Sequence, residues 1–325
     1  SPRGHVGMVQ SARNEVRNSY FYLTHNGASQ SYGIESFGTS DDLVINNIFH
    51  NVTTPTMGPS PGSVIAFNYS IDMTFTINTS VNTMAHFGTH DSGGGMTLYE
   101  GNQTNGWIAD IPHGNSPLTT LFRNHFRGRD ESTTFPKNQA EIPIVMHAFS
   151  RANNVVGNVL GTSGYHSIYE WSNGPQGDTS NEDRSIYVLD REHSAGIPQD
   201  NLVFSSLLRW GNFDTVTGAV RWNALEIPTA GITYVNGNPV PASQTLPASF
   251  FLSAKPSWWG SPYGTPAWPP IGPDVTGGDH PDLGLGGRVW QIPARLCYFN
   301  SPIDINYPDG ADRGVLLFNA DACYS

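Results

Sequence analysis

The chain has 325 residues, of which 38% are hydrophobic, 11% aromatic and only 13% charged, and its formal net charge is −11. Two lysines (Lys137 and Lys255) and one group of arginines (Arg123, Arg127 and Arg129) make no basic face that could neutralise phosphates, which argues against nucleic-acid binding. The sequence has no apolar run of the roughly 18 residues that a membrane span needs, and its aromatic content is too high for a disordered chain.

One short pattern recurs from residue 14 onward, a run of β-branched or aromatic residues that ends on an asparagine, here called the anchor. The copies are 14–18, 43–47, 64–68, 98–102, 120–124 and 154–158, with a weaker copy at 208–212. Successive anchors lie 29, 21, 34, 22, 34 and 54 residues apart. A spacing of 21 or 22 residues is one bare coil of a parallel β-helix, and longer spacings indicate coils with inserted loops. Anchors stacked at one turn would hydrogen-bond to each other as a ladder from Asn18 to Asn158.

The positions two before and two after each anchor are mostly apolar, as in Ile45 and Phe49 or Phe122 and Phe126. This alternation predicts strands with one face in a core, so the residue two before the anchor should point inward. A leucine-rich repeat would need a regular leucine pattern, and a β-sandwich would show evenly spaced strands without an asparagine register. We therefore predict an all-β solenoid, with coils over residues 1–225.

Three of these copies carry a more specific likeness. The segments Asn-Asn-Ile-Phe at 46–49, Arg-Asn-His-Phe at 123–126 and Val-Gly-Asn-Val-Leu at 156–160 resemble coils of right-handed parallel β-helix proteins of the pectate-lyase-like superfamily. The resemblance covers residues 10–215. It implies the fold but no single activity, because the superfamily includes polysaccharide lyases, glycoside hydrolases, phage tailspikes, epimerases and non-catalytic adhesins.

The repeat ends near residue 225, and residues 226–325 form an irregular segment that is rich in proline, glycine and tryptophan around 239–283. We expect it to pack along the solenoid wall, within the same domain, and to cap one end. Little room remains before the first repeat for a cap at the other end. That end would then lack earlier coils or be covered by another chain, through end-to-end stacking in a homo-oligomer.

Two sequence features bear on the compartment. Cys297 and Cys323 would close a loop of about 27 residues if they form a disulfide, worth about 3 kcal/mol of loop entropy, and the alternative is two free thiols. A disulfide favours a secreted, extracellular protein. Four glycosylation sequons, which could also arise by chance in so asparagine-rich a chain, occur at Asn51, Asn68, Asn78 and Asn102.

A histidine and aspartate column is the main candidate for a site. Counting back eleven residues from the fourth, fifth and sixth anchors reaches Asp91, His113 and His147, with His90 and Asp110 on the flanking segments. If the coils stack in this register, neighbouring members lie about 4.8 Å apart. A carboxylate beside imidazoles suits general acid–base catalysis or a metal ion. The alternative, which we favour slightly, is a polar stack on a solvated face.

Glu100 is a second candidate, because it lies two residues before an anchor, where the other copies carry apolar residues. A carboxylate that points inward needs partners or a raised pKa. Either the strand turns Glu100 outward, which would make it a catalytic candidate, or an internal histidine or asparagine satisfies it. We favour the second interpretation.

The first functional hypothesis is a protein that binds or cleaves a polysaccharide along the solenoid groove. A hydrolase would use two acids about 5 Å apart for retention or 6.5–9.5 Å apart for inversion, drawn from Asp91, Asp110, Glu100 and Glu35. A lyase would use His113 or His147 as base, with Arg123, Arg151 or Ca²⁺ to neutralise a uronate, and the scarcity of cations disfavours it. We expect substrate contacts from His90, Arg123, Arg151, Trp258 and Trp259.

The second hypothesis is a non-catalytic structural or adhesive β-helix that assembles into an extracellular fibre. The low charge, the sequons and the short N-terminal end suit it, because an uncovered coil offers strand edges to another protomer.

Overall fold

A computed structural model describes residues 4–24, 31–73, 87–90, 92–131, 137–172, 180–191, 197–228, 240, 243–260, 262–307 and 314–324. Within these ranges the chain is mainly β and forms three sheets of short strands, named first, second and third by the order in which the chain enters them. In spatial order the first sheet contains Gly4–Val9, Tyr32–Phe37, Thr56–Met57, Phe87–Thr89, Trp107–Ala109, Ile144–His147, Ser185–Arg191 and Ile168–Ser172.

The other two sheets follow the same order along the chain. The second sheet contains Glu15–Arg17, Leu43–Ile45, Val64–Ala66, Leu98–Glu100, Thr120–Phe122, Asn154–Val156 and Leu208–Trp210. The third sheet contains Tyr20–Tyr22, Ile48–His50, Tyr69–Ile71, Gln103–Thr104, His125–Phe126, Val159–Leu160, Asn212–Asp214 and the antiparallel strand Val220–Arg221.

Strand order supports the predicted architecture. The chain visits the first, second and third sheets in turn and then returns to the first beside its previous strand, except that Ile168–Ser172 enters the first sheet before Ser185–Arg191 and lies on the far side of it. Apart from the last strand of the third sheet, every pairing in the three sheets is parallel. Three parallel sheets connected in this way are consistent with a β-helix. The interior between the sheets is filled by side chains such as Phe49, Tyr99, Trp107, Leu121 and Ile144.

The asparagine ladder is confirmed over most of its predicted length. Each member donates from Nδ2 to Oδ1 of the next at 2.9–3.0 Å, along Asn47, Asn68, Asn102, Asn124, Asn158 and Asn212. The prediction is wrong at the first coil, where Ser19 N donates to Asn47 Oδ1 at 3.0 Å. Asn18 instead accepts from Asn46 at 2.9 Å, one position earlier.

The predicted facing of the residue two before the anchor is also wrong from the second copy onward, whereas Val16 of the first copy packs against the core as predicted. The residue directly before the anchor has positive φ, for example 54° at Phe67, 67° at Gly101 and 65° at Gly157. This left-handed turn interrupts the alternation of the strand. The core-facing residue is therefore three before the anchor, such as Tyr99, whereas Glu100 points away from the coil interior.

The C-terminal segment packs against the outside of the coils, as predicted. Trp259, Ile271, Ile292 and Tyr298 form one buried cluster with wall residues that include Tyr69. Short helices occur at Leu202–Ser205, Pro293–Asn300 and Ala320–Tyr324, with 3-10 turns at Glu182–Arg184, Ala224–Glu226 and Ser257–Trp259. The predicted boundary at residue 225 stays a prediction.

A disulfide joins Cys297 to Cys323, which confirms the predicted pairing. Both cysteines are buried in the cluster between the C-terminal segment and the wall. None of the helices in the described ranges is long and apolar enough to cross a membrane.

Candidate functional site

An open pocket of about 610 Å³ lies on the outer side of the first sheet, close to where the chain turns toward the second sheet. Strand register places Glu35, Met57 and Gly88 side by side on neighbouring coils. The residues that follow each of them in sequence therefore lie close together where the three strands end. We call the pocket the histidine groove, lined by Val9, Glu35, Ser36, Phe37, Gly38, Met57, Gly58, His90, Ser92 and His113.

A histidine–aspartate pair stands at one end of this groove. Nδ1 of His90 is 2.6 Å from Oδ2 of Asp110, and the two side chains are 20% and 16% exposed. The ring of His113 meets that of His90 edge to face, with centroids 4.5 Å apart. An imidazole that donates from Nδ1 to a carboxylate has Nε2 as its basic nitrogen, which is the arrangement of an oriented general base.

The predicted column does not form, although several of its neighbours meet in the groove. Met146 pairs with Ala109, so His147 occupies the register position of Asp110, whereas His113 lies three residues further along the turn. His147 is buried and is absent from the lining of the groove. Asp91 lies outside the described residues.

The column was wrong because the turns between the first and second sheets differ in length. Eight residues separate Thr89 from Leu98, and ten separate Ala109 from Thr120. A fixed count of eleven residues back from each anchor therefore reaches different places on successive turns. A count forward from the end of each first-sheet strand would have aligned His90 with Asp110.

Both arginines that we predicted as substrate contacts have other partners. Arg123 is buried beneath the C-terminal segment, where it donates to both carboxylate oxygens of Asp274 at 2.7 and 2.9 Å and to the Ile271 carbonyl. Arg151 donates to Asp200 at 2.7 and 3.0 Å. The described lining of the groove contains neither lysine nor arginine, so the cation that a lyase would use is not among these residues.

The two tryptophans that we predicted as sugar platforms also pack against the wall. Trp259 is fully buried, and its Nε1 donates to the Pro266 carbonyl at 3.0 Å. Trp258 is half-buried against Phe67, with ring centroids 6.0 Å apart. Neither of them lines the groove.

Glu100 is turned outward, but the C-terminal segment covers it. Its Oε2 accepts from the backbone N–H of Phe250 at 2.9 Å, while Oε1 is buried without a hydrogen-bond partner among the described residues. Burial raises the pKa of Glu100 to about 7, against smaller lowering effects of Ser249, Phe250 and Arg123. It is therefore a covered structural acid, away from the histidine groove.

Three of the four sequon asparagines are buried in the folded chain. Asn68 and Asn102 are ladder members whose amides donate to their neighbours, and Asn51 is 3% exposed. A glycan on Asn68 or Asn102 has no space in this fold. Asn78 lies outside the described residues.

Sequence reasoning missed a second polar cluster between the third sheet and the C-terminal segment. In the part of the chain that the structure describes, only His125, His280 and Asp282 bring three metal-ligand atoms within 4.8 Å of one another. The available signal was the Asp-His-Pro-Asp run at 279–282, but its wall partner lies more than 150 residues earlier in the sequence.

Comparisons of the chain with protein-family models, with curated proteins and with solved structures find no match.

Proposed function

We propose that this chain is a secreted, right-handed parallel β-helix protein of the pectate-lyase-like superfamily that binds an uncharged polysaccharide in the histidine groove and hydrolyses it. The observation that carries the proposal is the hydrogen-bonded pair of His90 and Asp110 at the end of an open groove. The disulfide supports an oxidising compartment.

The lining of the groove supports an uncharged substrate. It contains Glu35, and the Asp110 carboxylate pairs with His90 at its end, but it has no described lysine or arginine that would attract a uronate. Phe37 and Val9 are 58% and 59% exposed there, so they offer apolar surfaces to the C–H faces of sugar rings. This supports a neutral glycan over an acidic one.

The spacing of the acids favours His90 as the base. The strands of Glu35 and Asp110 are three coil steps apart, about 14 Å, which exceeds the 6.5–9.5 Å between the carboxyl groups of an inverting hydrolase. Glu35 lies in, and His90 directly follows, strands that are two steps apart, about 10 Å, which is just above that range. We assign His90, oriented by Asp110, as the base that activates water, and Glu35 as the acid that protonates the leaving oxygen.

Reducing-end release from a panel of neutral and uronic polysaccharides tests this assignment. We expect release from a neutral polymer by the wild-type protein and a loss of at least 100-fold in kcat for His90→Gln and Glu35→Gln. His166→Gln is the matched control, because His166 is a buried histidine held by Thr162 and Glu141 away from the groove. Equal rates in His90→Gln and wild type would overturn the proposal.

A self-assembling structural protein is the second candidate, because the strands of the first coil pair on one side only within the described residues. At the other end, the antiparallel strand Val220–Arg221 covers the edge of the third sheet. Sedimentation that shows filaments without added glycan, together with no cleavage of any panel member, would favour this candidate.

A further inference from the structure

The cluster of His125, His280 and Asp282 has the geometry of a ligand set. Nε2 of His125 is 3.8 Å from Oδ2 of Asp282, and Nδ1 of His280 is 3.9 Å from the same oxygen. The two imidazoles meet edge to face with centroids 4.6 Å apart. Two ring nitrogens therefore converge on one carboxylate oxygen.

Hydrogen bonds within the described residues do not satisfy the side chain of His125. Its side chain is fully buried, and neither ring nitrogen has a hydrogen-bond partner among the described residues. A buried imidazole without partners is costly, and a bound ion is one of the established ways to satisfy such a group.

The two ring nitrogens of His280 lie toward Asp282 and toward Glu131. Nδ1 accepts from the backbone N–H of Asp282 at 3.2 Å, so an ion bound at Nδ1 would replace this hydrogen bond, and the proton is on Nε2, 3.5 Å from Oε1 of Glu131. Metal-binding histidines usually have a carboxylate beside their second ring nitrogen, and Glu131 lies on that side of His280. Glu131 is itself held by Arg295 at 2.9 Å and by the Tyr69 hydroxyl at 3.0 Å.

We propose that His125, His280 and Asp282 bind a divalent transition-metal ion of the zinc class, which fastens the C-terminal segment to the third sheet. Two nitrogen donors favour zinc over calcium, which takes oxygen ligands. The ion of this site therefore differs from the Ca²⁺ considered for a lyase.

Neighbouring arginines limit how tightly the ion is held. Arg127 already pairs with Asp282 at 2.5 Å, and Arg295 pairs with Glu131. The negative charges of the two carboxylates are therefore neutralised before an ion binds. The ion adds positive charge to a buried site, which costs free energy. We expect weaker binding than in a structural site made of four cysteine and histidine ligands.

Zinc titration of chelator-treated protein tests the proposal. We expect one Zn²⁺ per chain by calorimetry and a rise in Tm for the wild-type protein. His125→Gln and His280→Gln should each lower the zinc affinity by at least about tenfold. The matched control is His113→Gln, which removes an imidazole from the histidine groove and should keep the full rise in Tm.

Co²⁺ added to the wild-type protein gives a readout that does not depend on the folding of any variant. We expect the visible absorption of a four-coordinate site, which Zn²⁺ then displaces. The proposal is overturned if Co²⁺ gives only the spectrum of the hydrated ion, or if His113→Gln rather than His125→Gln abolishes zinc binding.

Discussion

At the scale of single residues, the neighbours of a side chain decide whether it is structural or available for chemistry. Glu100 and Asp110 are acids on neighbouring coils, yet one is sealed under the C-terminal segment and the other holds a histidine in an open groove. The cover over Glu100 is not visible in the repeat pattern, because Phe250 lies 150 residues later in the sequence.

Glu100 should make stability depend on pH. Its pKa is about 7 in the folded chain against an ordinary value of 4.5, so the unfolded chain loses this proton first as pH rises. The folded state therefore loses stability as pH rises from about 4.5 to about 7 and then levels off. Glu100→Gln should match the wild type at about pH 4 and exceed it at about pH 8 by on the order of 3 kcal/mol in urea unfolding. If the free energies of unfolding of the two proteins changed with pH by the same amount, the raised pKa of Glu100 would be contradicted.

Phe37 should contribute to substrate binding rather than to catalysis. Because the ring is 58% exposed in the groove, its removal costs little stability and takes away a stacking surface. We expect Phe37→Ala to raise KM by about three- to tenfold with little change in kcat. Phe250→Ala is the control, since Phe250 is 50% exposed outside the groove. An equal effect of both substitutions would remove Phe37 from the site.

At the scale of elements, the asparagine ladder connects successive coils through buried amides. Asn102 donates to Asn124 Oδ1 and to the Ile65 carbonyl, and its own Oδ1 accepts two N–H groups from Asn68. Asn102→Ala should lower the free energy of unfolding by about 3 kcal/mol, because it leaves buried donors and acceptors without partners. Asn154→Ala, at a half-buried position with a 3.2 Å bond to Thr120, should cost less than about 1 kcal/mol.

The contact between the C-terminal segment and the coils depends strongly on Arg123. Its guanidinium is buried and donates to carbonyl groups of Pro247 and Ile271 as well as to Asp274. Arg123→Met should destabilise the protein by about 3 kcal/mol and speed proteolysis of residues 243–260, because the carbonyls lose their donor. Asp274→Asn should have a much smaller effect, since that side chain is 50% exposed. Similar losses in both variants would contradict this account.

The spacing of anchors predicted the ladder because each coil contributes one asparagine regardless of the length of its loops. It misplaced Asn18 because this asparagine is itself the left-handed residue of the first coil, where Ser19 holds the ladder position. It misplaced the facing of Glu100 because the left-handed residue before the anchor shifts the alternation by one position. The histidine groove was found only in part. His90, His113 and Glu35 were predicted, but the column failed because loop lengths between sheets are not equal.

At the scale of the whole molecule, contacts between the coils and residues 243–324 were the least predictable feature. Arg123, predicted as a substrate contact, and Arg127 pair with Asp274 and Asp282, which lie about 150 residues later in the sequence. His125 likewise contacts the ring of His280, which lies 155 residues later in the sequence. Nothing in an irregular segment specifies which part of a wall it will pack against.

The disulfide should stabilise this outer layer. Cys297 and Cys323 are 26 residues apart, so opening the bridge should cost the folded state about 3 kcal/mol of loop entropy. Urea unfolding with and without a reductant measures the difference, and the double variant Cys297→Ser with Cys323→Ser should be insensitive to the reductant. Alkylation of the oxidised protein at either cysteine would contradict the pairing.

The central claim, that a polysaccharide occupies the histidine groove, is tested most directly by the ring signals of the histidines in NMR spectra. A short oligosaccharide of the neutral polymer that the protein cleaves would be titrated into the His90→Gln protein and into the wild type. We predict that the signals of His113, and of His90 in the wild type, shift with saturation, while those of buried His166 stay in place. Saturable binding that leaves the His113 and His90 signals unchanged would contradict the account.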